Sequence, residues 1–367
     1  MRSVLYEISF FEQFSCTIKD CPNTCCRGWR VAFDEETYKR YLTETGINGL
    51  RLRSSIKKID EEVYFRTSLK QCTFYEKEGT CNLQRTLGVD YMPLVCRLYP
   101  RFRQHYGSFA EETLFLSCPE AARLFLVHLD DLVFVKSERS ITYERWGTND
   151  DETYLQWLRE LRGQMITAIW DETESRAHIL ARLAAAMKEI QQLCIEGKRL
   201  PPAAEILQKH SDAGELHLSA QMTDKMITSG FYHRKLKKVS PRLYELCRYY
   251  FRIFDRLTAT QADARTEELR RNLHRANPCL EHVLRGYLVY YLQMVFLEVY
   301  EDYSFLRKLT GGIMHVHMLE LFLSLHFERM KRLTSDELAL LLSVYERRGR
   351  HNEQVAEGMY EILYPAL

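Results

Sequence analysis

None of the 16 glycines forms a Gly-x-Gly pair. That argues against a dinucleotide phosphate loop and against the glycine-rich turn of the usual methyltransferase sheet. A Walker loop and a Gly-x-Ser-x-Gly elbow are also missing, which removes the sequence support for P-loop hydrolysis and for serine-hydrolase chemistry. Net charge is almost absent: 51 Lys and Arg against 50 Asp and Glu leave +1, so no global field draws nucleic acid or an acidic membrane surface. With nine prolines and few glycines there is little room for long disorder, and no repeat of fixed period or low-complexity segment is visible. The opening MRSVLYEISFFEQFSC lacks the charged, apolar and small-residue blocks of a signal peptide, so a cytoplasmic location is expected. The most apolar stretch, Tyr287 to Leu297, contains Gln293 and is too short to span a bilayer; it reads as a buried helix.

What the chain does have is cysteine. Its 367 residues suit one large or two ordinary domains, and 46% hydrophobic content is ordinary for a globular protein. Eleven cysteines are not ordinary, and eight of them lie between positions 16 and 118: Cys16, Cys21, Cys25, Cys26, Cys72, Cys81, Cys96 and Cys118. In a reducing compartment such clustering points to metal or redox chemistry rather than to disulfides. The asymmetry divides the chain into a cysteine-rich region, residues 1–140, and a helical domain, residues 150–367, joined by the polar connector YERWGTNDD at 143–151.

The first region reads as irregular. Asp34 to Leu42 and Pro119 to His128 have helical spacing, while Glu62 to Arg66 and Gly107 to Phe109 read as short strands. Such a segment builds a normal core with difficulty, so metal ligation would supply part of its folding free energy. Beyond the connector, helical stripes run through Tyr154, Trp157, Leu158, Leu161, Met165 and Ile166, and through Ile179, Leu183, Met187, Ile190 and Cys194 up to Gly197. Further helices are expected over Pro241 to Thr258, Cys279 to Asp302, Met314 to Leu333 and Ser335 to Tyr345. The expected fold is mainly α: an irregular, cysteine-rich, metal-binding N-terminal region packed on a helical body.

Thiolate-rich sites select zinc, copper(I) or iron–sulfur clusters over hard ions. Structural zinc sites present C-x2–4-C pairs. Cys21-x3-Cys25 fits, but Cys72 and Cys81 are nine apart, and adjacent Cys25 and Cys26 diverge too far to share one tetrahedral ion easily. Eight cysteines equal two sets of four, the number that holds a common iron–sulfur cluster; one cluster plus free or structural thiols fits equally well. Iron–sulfur, zinc and plain thiols therefore all stay open on spacing. Cys194, within an apolar stripe, and Cys247, within an aromatic helix, read as small buried hydrophobes.

The order Cys16-x4-Cys21-x3-Cys25-Cys26, then Cys96-Arg97-Leu98-Tyr99-Pro100, resembles the family whose hallmark is C-x3-C-x2-C-C, with one extra residue in each gap. The longer form, with Thr24-Cys25-Cys26-Arg27-Gly28-Trp29 and Ser117-Cys118-Pro119-Glu120-Ala121-Ala122, looks like the flagellin lysine-N-methylase branch. The resemblance spans roughly residues 14–122 and rests on no motif in the helical remainder. It implies methyl transfer from S-adenosylmethionine to lysine ε-amines of flagellin and a cysteine-bound [4Fe–4S] cluster. Beyond the cysteines it carries over no catalytic residue. A catalytic cluster would need three cysteines, one open iron and an electron donor; Cys16, Cys21 and Cys25 form one such trio, with a spacing that is not the C-x3-C-x2-C of the radical enzymes.

Other features read as structural. The basic stretch 233–252 is a solvated helix face or, functionally, a dock for an acidic partner or for the donor's carboxylate. His315 and His317 point apart on a helix, and Glu111 and Glu112 read as exposed charge in preference to a general base pair. Two other classes of function compete with the methyltransferase: a non-catalytic zinc-binding interaction module, and an iron–sulfur electron-transfer protein.

Overall fold

A computed structural model describes residues 2–17, 20–27, 31–59, 62–68, 71–76, 79–139, 141–142, 151–231, 236–237 and 240–367. Residues 143–150 of the connector, Gly28 and Trp29 of the motif, and positions 233–235 and 238–239 of the basic stretch lie outside them.

The chain is mainly helical, as expected, but its first third holds more β-structure than the sequence showed. The strands are β1 (Arg2–Ile8), β2 (Ile56–Ile59), β3 (Glu62–Phe65), β4 (Thr67–Ser68), β5 (Gln71–Cys72), β6 (Arg101–Tyr106), β7 (Phe109–Leu114), β8 (Phe134–Lys136) and β9 (Ile141–Thr142). The main sheet runs β6-β7-β1-β8, with β9 also on β1. β1 pairs with β7 in parallel, Val4 opposite Phe109, and with β8 in antiparallel, Tyr6 opposite Lys136. Gly107, read as part of a strand, is instead the turn of the β6–β7 hairpin at φ 58°.

β7 lies inside the sheet and is buried at every position. This corrects the reading of Glu111 and Glu112 as exposed charge: they are 4% and 5% exposed. Alternation sends them to opposite faces, and each meets arginine there. Glu111 takes two bonds from Arg162, at 2.8 and 2.5 Å, and Glu112 takes one from Arg103 at 2.6 Å and one from Arg139 at 2.5 Å. The pattern of two adjacent acids between apolar residues concealed partners that are distant in sequence.

Four helices accompany the cysteines: α1 (Glu35–Thr43), α2 (Gly46–Ser54), α3 (Asn82–Leu87) and α4 (Leu94–Leu98); α5 (Pro119–Val127) follows the main hairpin. The body comprises α6 (Glu152–Trp170), α7 (Arg176–Ile195), α8 (Ala203–Lys209), α9 (Ala220–Met226), α10 (Pro241–Phe254), α11 (Ala259–Ala276), α12 (Leu280–Val295), α13 (Val299–Asp302), α14 (Phe305–Met330), α15 (Ser335–Tyr345) and α16 (Glu353–Leu363). α6 starts where Asp151 accepts the N–H groups of Thr153 and Tyr154, and α7 starts where Ser175 accepts that of His178. α10 stops at Phe254, short of the expected Thr258, because Thr258 forms a capping box with Gln261 at the start of α11. The helix expected over 279–302 breaks after Val295 into a 3-10 turn and α13. α14 begins at Phe305 rather than Met314 and runs through Gly311 and Gly312. Those glycines do not end it; they admit the Tyr291 ring, since a Cβ on Gly311 would collide with the Tyr291 hydroxyl.

α12 from Val283 to Met294 and α14 from Leu309 to His326 are buried on every face and form the axis of the main core. This core also takes in Phe10, Phe11, Leu114, Leu116 and Phe125 from the first third of the chain. A second core is small: Val31, Tyr41, Leu52, Phe65, Phe74 and Leu83, with Cys72, Cys81 and Cys96 packed against it. Among the described residues no helix is long and apolar enough to cross a membrane.

Candidate metal centre

The eight N-terminal cysteines are all free thiols, and seven of them fall into two groups whose members feel one another's charge. The first group is Cys26, Cys72, Cys81 and Cys96. Short antiparallel contacts assemble it: Cys72 N–H donates to the Cys26 carbonyl at 3.0 Å, Arg27 bridges to Gln71, and Tyr75 bridges to Cys81. Cys96 arrives on α4, whose first N–H donates to Asp34 Oδ2 at 2.7 Å. Burial pushes the Cys72 thiol up to about 12, with the Cys26 and Cys81 charges adding to it. Burial also raises Cys96, which feels Cys72, Cys26 and Cys81.

The second group is Cys16, Cys21 and Cys118. Cys118 precedes α5, with Pro119 at the first helical position. Burial pushes its thiol up to about 11, opposed by the N–H groups of Ala121 and Glu120 and reinforced by Cys21 and Cys16. Burial raises Cys21 as well, and Cys16 adds to the rise. Cys25 stands between the groups. Its thiol donates to Cys26, which lowers Cys26 and raises Cys25.

Among the described residues, no three Cys, His, Asp or Glu side chains converge into a closed shell around one ion. The sulfur atoms are neighbours rather than a finished ligand cage. Even so, the donor set fits a thiolate-held group. Only soft donors meet here, none is consumed in a disulfide, and burial together with mutual repulsion penalises their ionisation. A soft cation or cluster would reverse that penalty.

Among the residues that tie this region to the body, Arg347 is the one that reaches the cysteine loop through several hydrogen bonds. It sits in a π-helical turn, Glu346–Arg350, that follows α15. Nη1 donates to Asn23 Oδ1 at 3.1 Å and to the Thr24 carbonyl at 3.0 Å. Nη2 donates to the carbonyls of Asn23 at 2.8 Å and Ser117 at 3.1 Å. One guanidinium thus holds the loop carrying Cys21, Cys25 and Cys26 against the residue before Cys118, and its charge favours the thiolates of all three loop cysteines. Sequence reasoning missed it. The run Glu346-Arg347-Arg348-Gly349-Arg350 was the one available signal, and it gives no hint of a partner more than 300 residues away. Beside Arg347, Glu346 is wholly buried; it accepts from the Tyr287 hydroxyl and from Arg350 Nη1 at 3.2 Å.

The C-terminal cysteines stay apart from this region: Cys247 is buried, Cys194 half-buried against the main core, and Cys279 exposed. The two helix histidines separate, as their spacing required. His315 Nδ1 pairs with the Tyr345 hydroxyl at 2.8 Å. His317 Nδ1 accepts from Arg270 at 2.8 Å, so its Nε2–H donates to Thr223 Oγ1, also at 2.8 Å. His317 lines a cleft of about 1020 Å³, whose floor holds buried Glu320 paired with Arg176 at 3.0 Å and His274 at 2.7 Å. A second cleft, of about 950 Å³, is walled by Tyr249, Tyr250 and Phe254 with Asp224 and Arg329.

The family model described as the FliB lysine N-methylase C-terminal domain matches residues 162–365, more than half of the chain. The chain belongs to the FliB lysine N-methylase family. The match lies wholly in the helical body, whereas the resemblance read from the cysteines lies in residues 14–122, so two separate stretches of sequence agree. Arg347 falls within the matched body, and the loop that it grips falls outside. Relatives at lower coverage include the lysine-N-methylases of Salmonella choleraesuis and Salmonella typhimurium, each 29% identical over 149 residues, 39% of this chain. The flagellar biosynthetic protein FliU of Salmonella muenchen is 28% identical over 127 residues, 33% of this chain and 75% of FliU. The chain spans little more than a third of the length of the two lysine-N-methylases, at 37% of each. No solved structure matches the chain.

Proposed function

We propose that the chain is an S-adenosylmethionine-dependent protein-lysine N-methyltransferase that acts on flagellin in the cytoplasm and holds an iron–sulfur cluster in its cysteine region. The observation that carries this reading is the Arg347 clamp. It joins a body belonging to a lysine N-methylase family to the loop carrying the free thiols of Cys21, Cys25 and Cys26 and to the residue before Cys118. The names of the relatives, lysine-N-methylase and flagellar biosynthetic protein, support the substrate.

The reaction moves one methyl group. The sulfonium S–CH3 bond breaks, an Nζ–CH3 bond forms, and S-adenosylhomocysteine and one proton leave. Lysine is an ammonium ion at neutral pH, so the amine must first lose a proton, through desolvation or a base. The sulfonium favours aromatic faces and carboxylates, which the cleft of Tyr249, Tyr250, Phe254 and Asp224 offers. The cluster would be held by thiols drawn from Cys16, Cys21, Cys25, Cys26, Cys72, Cys81, Cys96 and Cys118 and would supply redox or Lewis-acid chemistry there. Arg347 keeps the loop in place and offsets the negative charge of its thiolates.

Anaerobic purification with iron, zinc and sulfide analysis, followed by incubation with S-adenosylmethionine and flagellin, tests the reading. Iron and sulfide in similar amounts, together with methyl-lysine in flagellin by mass spectrometry, is the expected result. Stoichiometric zinc, no sulfide and no methylation would instead favour a zinc-binding interaction module. That second reading draws on the small core against which Cys72, Cys81 and Cys96 pack. Iron and sulfide without donor binding would mark an electron carrier with a redox partner.

A further inference from the structure

The aromatic cleft of about 950 Å³ falls in the size range of sites that enclose a whole small ligand. Its lining residues lie between positions 220 and 329, inside the stretch that matches the lysine N-methylase domain. Three helices bring charges to it: α9 carries Asp224, α10 carries Glu245, Arg248 and Arg252, and the last turn of α14 carries Arg329. Some of the lining charges pair off. Arg248 meets Glu245 at 3.1 Å, and Arg256, in the turn after α10, meets Asp255 at 3.6 Å. Arg252 and Arg329 do not: both are exposed, and neither side chain makes a hydrogen bond or ion pair among the described residues. That is unusual in this chain, where arginine after arginine meets glutamate.

Both unpaired guanidiniums lie over one half-buried ring. Arg252 stands 4.8 Å and Arg329 5.8 Å from the centre of Tyr249. Tyr249 and Arg252 are three apart on α10 and share a face, whereas Arg329 arrives from another helix. Asp224 is the unpaired charge of opposite sign. Its carboxylate makes no hydrogen bond or ion pair among the described residues, and its charge adds to the rise that burial imposes on the Tyr250 phenol. The Tyr250 ring in turn stacks on Phe254 at 4.3 Å. The cleft thus offers two guanidiniums and one carboxylate without internal partners, beside aromatic rings. A purely anionic ligand would leave Asp224 unanswered, and a purely cationic one would meet the arginines. A ligand with a cation and a carboxylate a few bonds apart satisfies both, and a guanidinium fork matches a carboxylate in shape. The donor's methionine end is such a ligand, with sulfonium and carboxylate joined by a short aliphatic chain.

We propose that Arg252 and Arg329 grip the α-carboxylate of the methyl donor in this cleft, with the Tyr249 ring holding the two guanidiniums in place. The assignment rests on the methyl-transfer reading above, which gives the sulfonium the aromatic faces and Asp224 of the same cleft. It adds the residues that recognise the donor's other charge. Glu245 and Asp255, each engaged by an arginine of its own, do not compete for the pair.

Calorimetry on the anaerobically purified full chain tests this with two probes: S-adenosylhomocysteine, and its analogue lacking the carboxylate. The wild type is expected to bind S-adenosylhomocysteine about tenfold more tightly, the lower end of the range for hydrogen bonds between charged groups, because both arginines face solvent. Arg252→Ala and Arg329→Ala should each narrow that gap by weakening S-adenosylhomocysteine alone, and the double variant should close it. Neither guanidinium has an acid partner to lose, so the variants retain the fold, which unchanged affinity for the analogue verifies. Equal binding of the two probes by the wild type, an undiminished gap in the double variant, or an equal loss of both probes there overturns the carboxylate grip and leaves the methyltransferase standing. Failure of the wild type to bind either probe overturns the donor reading, and the grip with it.

Discussion

Replacing Arg347 is the sharpest perturbation of the link between the two regions. Arg347→Ala removes four charge-assisted hydrogen bonds to Asn23, Thr24 and Ser117. Each such bond contributes about 1.5–3 kcal/mol in favourable cases. The four share one side chain, and water can reach the half-buried site to replace some of them, so simple addition overstates the loss. A total of about 2–4 kcal/mol is the reasonable figure, since bonds within one network are not additive. Arg347→Lys keeps the charge but not the fork, and should lose about half as much. The measurement is urea unfolding of anaerobically purified protein, paired with the rate at which a strong chelator strips iron. The alanine variant should unfold at lower urea and release metal faster, with lysine in between. If alanine changes stability by less than about 0.5 kcal/mol, the range of an ordinary surface substitution, and leaves metal release unchanged, then the loop is held by something else. Lysine behaving like alanine would instead show that the fork matters and the charge does not.

Three other outcomes are expected. Serine at Cys26, Cys72, Cys96 or Cys118 should lower bound iron per chain, while serine at Cys194, Cys247 or Cys279 should leave it unchanged in the same metal assay. Glu111→Gln or Arg162→Met alone should destabilise by about 3–5 kcal/mol, because each leaves a buried charge without its partner; the double variant should recover much of the loss in a urea double-mutant cycle. Burial holds His315 and His317 down at about 3, below the usual 6.5, with the Arg350 charge adding at the first and Arg270 at the second. The unfolded chain then binds protons that the native state refuses. Their contribution is complete above pH 6.5 and is lost progressively as pH falls toward 3. Each should remove about 2 kcal/mol between pH 7 and pH 5. Urea midpoints at the two pH values check this, and His317→Asn should reduce the difference.

Helices whose stripes are local were legible in sequence: Tyr154 to Ile166 and Ile179 to Cys194 became α6 and α7 with their caps in place. Periodicity misjudged α14, because Gly311 and Gly312 look like a break until the Tyr291 ring that needs their space is known. It also missed β1, whose partners Phe109 and Lys136 lie more than a hundred residues on. At the site, the cysteine set was visible from spacing, but its grouping was not. The grouping depends on Cys72 N–H reaching the Cys26 carbonyl and on α4 delivering Cys96. The charge that serves the loop was invisible for the same reason, since Arg347 shares a sequence neighbourhood with Tyr345 and Gly349 rather than with any cysteine.

The Arg347 clamp also sets an order of assembly. Asn23 and Arg347 are 324 positions apart. At a synthesis rate of about 5–20 residues per second, roughly 16–65 s separate the emergence of the loop from that of its anchor. Throughout that interval the thiols of Cys16, Cys21, Cys25 and Cys26 are made but not yet pinned, open to stray zinc, copper or oxidant. A chain interrupted before Arg347 therefore carries the whole cysteine region and most of the helical body, yet its Cys21–Cys26 loop has no anchor.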